Sequence, residues 1–140
     1  MTLHAYRFFS NTCREAMEFY RDVFGGSLEV MTFADLPPDE ASPEGIDADL
    51  VMHASLVFPD GAMLMASDDP SGDGGPAKGV SIHYSASGAE EGQRIFDRLT
   101  DGGEVRMPFE EVFWALRFGD CTDRFGTSWM ISLDHPAAAG

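Results

Sequence analysis

MEFYRDVFGGSL at residues 17–28 and RIFDRLTDGGEV at residues 94–105 decide the fold. An offset of 77 lays Phe19 on Phe96, Gly25-Gly26 on Gly102-Gly103 and Leu28 on Val105. Each stretch reads as the end of an amphipathic helix, closed by a glycine pair and followed by a strand. Glycine takes the left-handed conformation that a helix terminus favours.

Working outward from the first copy, residues 3–9 read as a strand. Asn11-Thr12 is expected to supply cap oxygens for a helix over residues 13–24, whose Ala16, Phe19, Tyr20 and Val23 share one face. A strand at 27–33 follows, then a loop at 34–49 with three prolines and six acids, read as a long surface loop. Residues 50–58 and 62–67 form a hairpin around Pro59-Asp60-Gly61. Outward from the second copy, the same order returns: a strand at 80–85, a helix at 89–100, and strands near 104–108, 113–118 and 127–133. The order βαβββ therefore occurs twice, an internal duplication. The expected organisation is an N-terminal module at 1–68, a glycine-rich linker at 69–79, a C-terminal module at 80–134 and a tail at 135–140. Each sheet is half-covered by its own helix and must bury its other face, which predicts an α+β fold of paired curved mixed sheets enclosing a cleft.

The 140 residues are 44% hydrophobic and 24% charged, an ordinary globular composition. Twenty-four acids against nine bases give a net charge of −15. Such a field repels phosphate backbones and anionic headgroups, so neither nucleic acid nor a membrane surface is an expected partner. No apolar run approaches the ~20 residues of a membrane helix. Residues 1–10 lack the charged start and apolar block of a signal peptide, so a cytoplasmic protein is expected. Cys13 and Cys121 form neither a CxxC pair nor a disulfide framework and read as buried thiols. Ser55, Ser67 and Ser132 lack a nucleophile elbow, and the glycines at 72, 74 and 75 lack the lysine-serine tail of a phosphate loop.

The chain resembles the vicinal oxygen chelate superfamily of glyoxalases, extradiol dioxygenases and bleomycin- and fosfomycin-resistance proteins. Within it the resemblance is to the PhnB-like branch, through EAMEFYRDVFGG (15–26), VMHASL (51–56), LMASD (64–68) and FWALRFGDCTDRFGTSWMI (113–131). Members of that branch are often labelled as a demethylubiquinone methyltransferase. This sequence has no glycine-rich βα turn with an acidic ribose-binding residue, which argues against that activity. Metal-dependent superfamily members take His, Glu or Gln ligands from the first and fourth strands of each module. The resemblance places those positions at Ala5, Met65, Met130 and either Val80 or Ile82, a set that is no site for a hard or borderline ion. No cofactor is expected. An alternative metal reading gathers His4, His53 and His83 with an acid such as Asp68.

Strand alternation sorts the candidates. With Ala5 facing the cleft, Arg7 does too, either to bind an anionic ligand group or to pair with a neighbouring acid; His4 and His83 then face the helix layer. Met52, Ala54, Leu56 and Phe58 form the apolar face of their strand, which points His53 and Ser55 into the cleft. His53 reads as a hydrogen-bonding wall residue, a general acid or base, or a metal ligand. Trp114, beside Phe113, either stacks on a planar substrate or packs in the core. Met63, Met65 and Met130 form either an adaptable ligand wall or core filler, and Trp129 is expected beneath the helices. The substrate-binding set is thus Arg7, His53, Ser55, Met65, Trp114 and Met130. The expected function is binding of a small molecule by a homodimer without the metal quartet. The alternative is a lyase, isomerase or oxygenase that uses a relocated metal or His53 as its acid-base group.

Overall fold

The computed structural model describes residues 3–36, 47–69 and 78–136. Most of the expected surface loop and linker, at 37–46 and 70–77, and the tail at 137–140 lie outside the described residues. Two compact units divide the chain, Met1–Gly75 and Pro76–Gly140. The first contains β1 (Ala5–Phe9), α1 (Cys13–Phe24), β2 (Ser27–Thr32), a short 3-10 turn (Phe33–Asp35), β3 (Val51–Val57) and β4 (Met63–Asp68). The second contains β5 (Ile82–Ser85), α2 (Ala89–Thr100), β6 (Glu104–Glu110), β7 (Arg117–Thr122) and β8 (Ser128–Leu133). The sheets are ordered β1-β4-β3-β2 and β5-β8-β7-β6. In each, the first strand runs parallel to the fourth and the other pairs are antiparallel. This is the expected α+β architecture, βαβββ twice.

In the N-terminal unit α1 buries Ala16, Met17, Tyr20 and Val23 against Ala54, Leu56, Leu64 and Ala66 of β3 and β4. The expected cap from Asn11-Thr12 does not form. Thr12 makes no side-chain cap bond, and Asn11 takes φ 71°. The cap comes instead from the end of β4: buried Asp68 accepts the Cys13 N–H on Oδ1 at 3.0 Å and the Val51 N–H on Oδ2 at 3.0 Å. A carboxylate placed there also opposes the positive end of the helix dipole. This bond joins residues 55 apart, so no local pattern announces it. At the other end Gly25, at φ 81°, donates its N–H to Arg21 O. Gly26 then runs so close to β3 that a Cβ would strike the Val57 carbonyl oxygen.

The C-terminal unit repeats this corner. Gly102 has φ 77°, and a Cβ on Gly103 would strike the Thr122 carbonyl oxygen. Both members of each glycine pair thus keep the same task across the repeat: the first turns the chain and the second lets strand meet strand. α2 buries Ile95, Phe96 and Leu99, and Phe96 sits over Gly119, where a Cβ would lie 2.7 Å from the ring. That contact explains one departure from expectation. The apolar run at 113–118 reads as a strand, but residues 113–116 bend and β7 runs from Arg117 through Gly119 to Thr122. Glycine and aspartate at 119–120 resemble a strand end locally, yet α2 needs a flat, side-chain-free seat there.

Candidate functional site

Each helix covers one face of its sheet and leaves an open face, and the pairing register assigns every side chain to one of them. In the N-terminal sheet Ala5 and Arg7 pair with buried Leu64 and Ala66, while Tyr6 pairs with Met65 and Phe8 with Ser67. Partners in register share a face, so Ala5, Arg7 and Phe9 lie on the helix side. The expected phase of β1 is therefore reversed, and Arg7 does not lie on the open face. Its guanidinium lies 4.4 Å from the centre of the Phe9 ring and donates to the Phe8 carbonyl. The same correction applies to β5. Ile82 and Tyr84 pair with buried Trp129 and Ile131, and the Tyr84 hydroxyl donates to Glu91 of α2 at 3.1 Å. His83 pairs with Met130 and is on the open face, opposite to expectation; Val80 precedes the strand and is 70% exposed.

β3 has the expected phase. His53 and Ser55 are on the open face, opposite Met31 and Glu29 of β2, because Ala54 and Leu56 hold the core side. Met65 and Met63 join them from β4. The Tyr6 side chain reaches over β4, and its hydroxyl lies 3.2 Å from His53 Nδ1. The Tyr6 ring centre is 5.8 Å from His53 and 5.0 Å from Phe8, both tilted, so three rings stand side by side, two from β1 and one from β3. Beside them lies a depression of about 380 Å³ lined by Glu29, Val30, Met31, His53 and Ser55. Tyr6 and Phe8 are 42% and 59% exposed. Sequence reasoning missed both as site residues, although the alternation that misplaced Arg7 contains them one step away.

The open face of the C-terminal sheet is more polar. His83 Nε2 lies 2.8 Å from Ser132 Oγ, and Ser85 donates to Asp134 at 3.2 Å. Arg106 of β6 gathers the Asp120 carboxylate, the Thr122 and Ser128 hydroxyls and the Cys121 carbonyl. The Asp120 hydrogen bond holds the Arg106 guanidinium above its ordinary range, against a smaller opposing effect of burial. Met130 lies in register between His83 and Asp120. Trp114 precedes β7, half exposed, and packs edge-on against Phe113 at 4.8 Å and Phe118 at 5.4 Å. Trp129 is buried as expected, and its indole N–H donates to Asp123 at 2.8 Å.

Other chemistry is constrained. Asp68 is buried on the helix side in register with Phe9, its oxygens on the Cys13 and Val51 N–H groups, and so does not share the open face with His53. Among the described residues no three His, Cys, Asp or Glu side chains are grouped to hold a metal ion. Cys13 and Cys121 are buried, and desolvation, helped by Asp68 and Asp123 respectively, pushes each thiol up to about 12. Neither supplies a thiolate near neutral pH. No helix among the described residues is long and apolar enough to cross a membrane.

A repeated βαβββ unit with an open sheet face defines a class of protein, and comparison with known proteins places the chain in it. Residues 2–131 match the family model described as Glyoxalase/Bleomycin resistance protein/Dioxygenase superfamily, and the chain belongs to that superfamily. It is 30% identical over 141 residues to Protein YjdN of Escherichia coli (strain K12), covering 95% of each chain. Among solved structures, protein PA1353 of Pseudomonas aeruginosa is 40% identical with a TM-score of 0.83, covering 96% of this chain and 98% of that one. A PhnB protein from Bacillus cereus shares the fold at 23% identity and a TM-score of 0.73, over 95% of this chain and 99% of its own.

Proposed function

We propose that the chain is a PhnB-like superfamily member that binds a small organic molecule on the open face of its N-terminal sheet, without the superfamily's metal quartet. One observation carries the reading: Tyr6, Phe8 and His53 present adjacent, partly exposed rings beside the depression lined by Glu29, Met31 and Ser55. An apolar, aromatic surface with a few placed polar groups is the usual form of a small-molecule site.

The residues at the first- and fourth-strand positions support the same reading. With the observed phase, the open-face positions of the first and fourth strands are Tyr6 and Met65 in one unit and His83 and Met130 in the other. One imidazole, one phenol and two thioethers do not fit a hard or borderline divalent ion. The Tyr6 hydroxyl on His53 Nδ1 favours a second reading, in which His53 exchanges a proton with a bound substrate and Tyr6 orients the ring. In either reading the chain is a homodimer, because edge strands β1, β2, β5 and β6 offer unpaired backbone to a partner. Light scattering that returns the mass of one chain throughout the micromolar range overturns the dimer.

A thermal-shift screen of small metabolites on the full chain tests the binding function, since a ligand of the folded state raises its melting temperature by mass action. Hits are expected to lose their shift in Tyr6→Ala and His53→Ala. Hits that keep it in both variants place binding elsewhere and defeat the proposal.

A further inference from the structure

The corrected phase of β1 changes what kind of ligand this face suits. An anion is held most strongly by a cationic donor, and the basic side chain expected there, Arg7, lies on the helix side over Phe9. The other two bases of residues 1–75, Arg14 and Arg21, are on α1. Among the described residues, the open face of β1 to β4 holds Glu29 as its only acidic or basic side chain apart from the His53 imidazole. By sequence, residues 1–75 carry 14 of the 24 acids and three of the nine bases, a net −11 of the chain's −15. The N-terminal unit therefore carries most of the chain's net negative charge, and among the described residues the open face of its strands holds no lysine or arginine.

The uncharged groups agree in sign. The faces of aromatic rings carry negative charge density and attract a cation lying within about 6 Å of the ring centre. Tyr6 and Phe8 pack against each other at 5.0 Å with a tilt of 39°, and Tyr6 continues to His53 at 5.8 Å, so the rings present a continuous, partly exposed aromatic surface. Met31 adds a polarisable thioether 47% exposed at the rim of the depression, beside the Glu29 carboxyl.

We infer that this face selects an organic cation, an alkylated or primary ammonium group on a small apolar body, with the exposed rings of Tyr6 and Phe8 against the charged head and the face's lack of a lysine or arginine, with Glu29 across the sheet, favouring positive charge. The inference rests on the proposed binding function of the same face and adds the ligand class to it.

An isosteric series tests the sign directly: choline, uncharged 3,3-dimethylbutan-1-ol and the anion 3,3-dimethylbutanoate, each titrated into the full chain at low salt. Chemical-shift changes at Tyr6, Phe8 and His53 are the readout. Choline is expected to bind there most tightly, the alcohol more weakly and the anion least. Raising the salt should narrow the gap, as expected for an exposed charge interaction. Tyr6→Leu and Phe8→Leu should each weaken choline about two- to five-fold with little effect on the alcohol, the scale of one exposed cation–ring contact. Tyr6→Phe keeps the ring and should largely keep choline binding, which separates the ring from its hydroxyl. Glu29→Gln should reduce the preference for choline over the alcohol. The alcohol or the anion binding as well as choline overturns the ligand class. So does silence towards choline while a metabolite from the thermal-shift screen shifts these residues, and in that case the binding function itself stands. Silence towards every compound at this face overturns both.

Discussion

The two units share a scaffold and use its equivalent positions differently. Tyr6 and His83 are the same position of the repeat, each on the first strand and in register with a methionine of the fourth, Met65 and Met130. In the N-terminal unit that position is a phenol reaching His53, among rings and a depression. In the C-terminal unit it is an imidazole on Ser132, close in register to Asp120, whose carboxylate is held by Arg106. The polar groups of the second face largely satisfy one another, whereas the first leaves its aromatic surface available. The backbone corner, by contrast, is the same in both. The chain path is the same in both units while the side chains of the open faces differ, so the scaffold says little about what either face could bind and the side chains say more.

The largest expected effect tests the shared corner. Gly26→Ala and Gly103→Ala each drive a Cβ into a strand carbonyl, so each should cost about 3 kcal/mol or more, the upper end of overpacking. Gly25→Ala meets no neighbouring atom and bears only the backbone strain of φ 81° with ψ −179°, a region open almost only to glycine, about 1–3 kcal/mol. Urea unfolding measures all three. Alanine tolerated at Gly26 or Gly103 as well as at Gly25 breaks the equivalence of the corners.

The buried carboxylates come next. Asp68 ties β4 to the starts of α1 and β3, whereas Asp123 closes its own turn through the Phe125 and Thr127 N–H groups and the Trp129 indole. An amide cannot accept on both arms, so Asp68→Asn and Asp123→Asn should each cost about 1–3 kcal/mol, the penalty of an unsatisfied buried donor. Hydrogen exchange sharpens the contrast. The first variant should expose the Cys13 and Val51 amides, elements far apart in sequence, and the second only the amides of one turn.

Of the two arginines on first-and-second-strand positions, Arg106 works on an open face and Arg7 does not. Arg106→Ala removes the tie between β6, β7 and β8 and should cost about 0.5–1.5 kcal/mol. Arg7→Ala should leave the affinity of any ligand bound beside His53 unchanged; a ligand weakened by it reopens the anionic class.

The smallest effect is a pH dependence at Glu91. Burial pushes its carboxyl up, but the Ser87 N–H and hydroxyl and the Tyr84 hydroxyl outweigh that, and the net direction is down. A carboxyl with a lowered pKa in the folded state stabilises above its unfolded pKa, and that contribution disappears as pH falls through the folded value. The urea midpoint of Glu91→Gln should therefore lie below that of the parent at neutral pH, and the two should converge on acidification through the carboxylate range. A constant gap at all pH values would assign the bond no charge dependence.

The fold was legible because its signals are local and doubled. Helix periodicity over 13–24 and 89–100, a glycine pair after each and a Pro-Asp-Gly hairpin all depend on residues close in sequence. The hairpin closes as read, with Phe58 donating its N–H to Ala62 O and Gly61 at φ 93°. Parity was legible for β3, since Ala54 and Leu56 against His53 and Ser55 leave no doubt which side is apolar. It was not legible for β1 or β5. AYRFF and IHYS carry large apolar or aromatic groups on both phases, and a strand of four or five residues has too few turns of the pattern to correct a wrong start.

By itself, then, the sequence determined the repeat, the helices, the helix-to-strand corners and the acidic character of the N-terminal half, all of which follow from neighbouring residues and composition. Tertiary structure alone decided that Arg7 turns away from the open face, that Tyr6 meets His53, that Asp68 caps α1 and that β7 passes under Phe96. Each of these depends on pairing between residues far apart in the chain. The phase of β1 is set by its register on β4 some 59 positions away, Ala5 on Leu64, and a one-residue change in that register would exchange every side chain between the two faces.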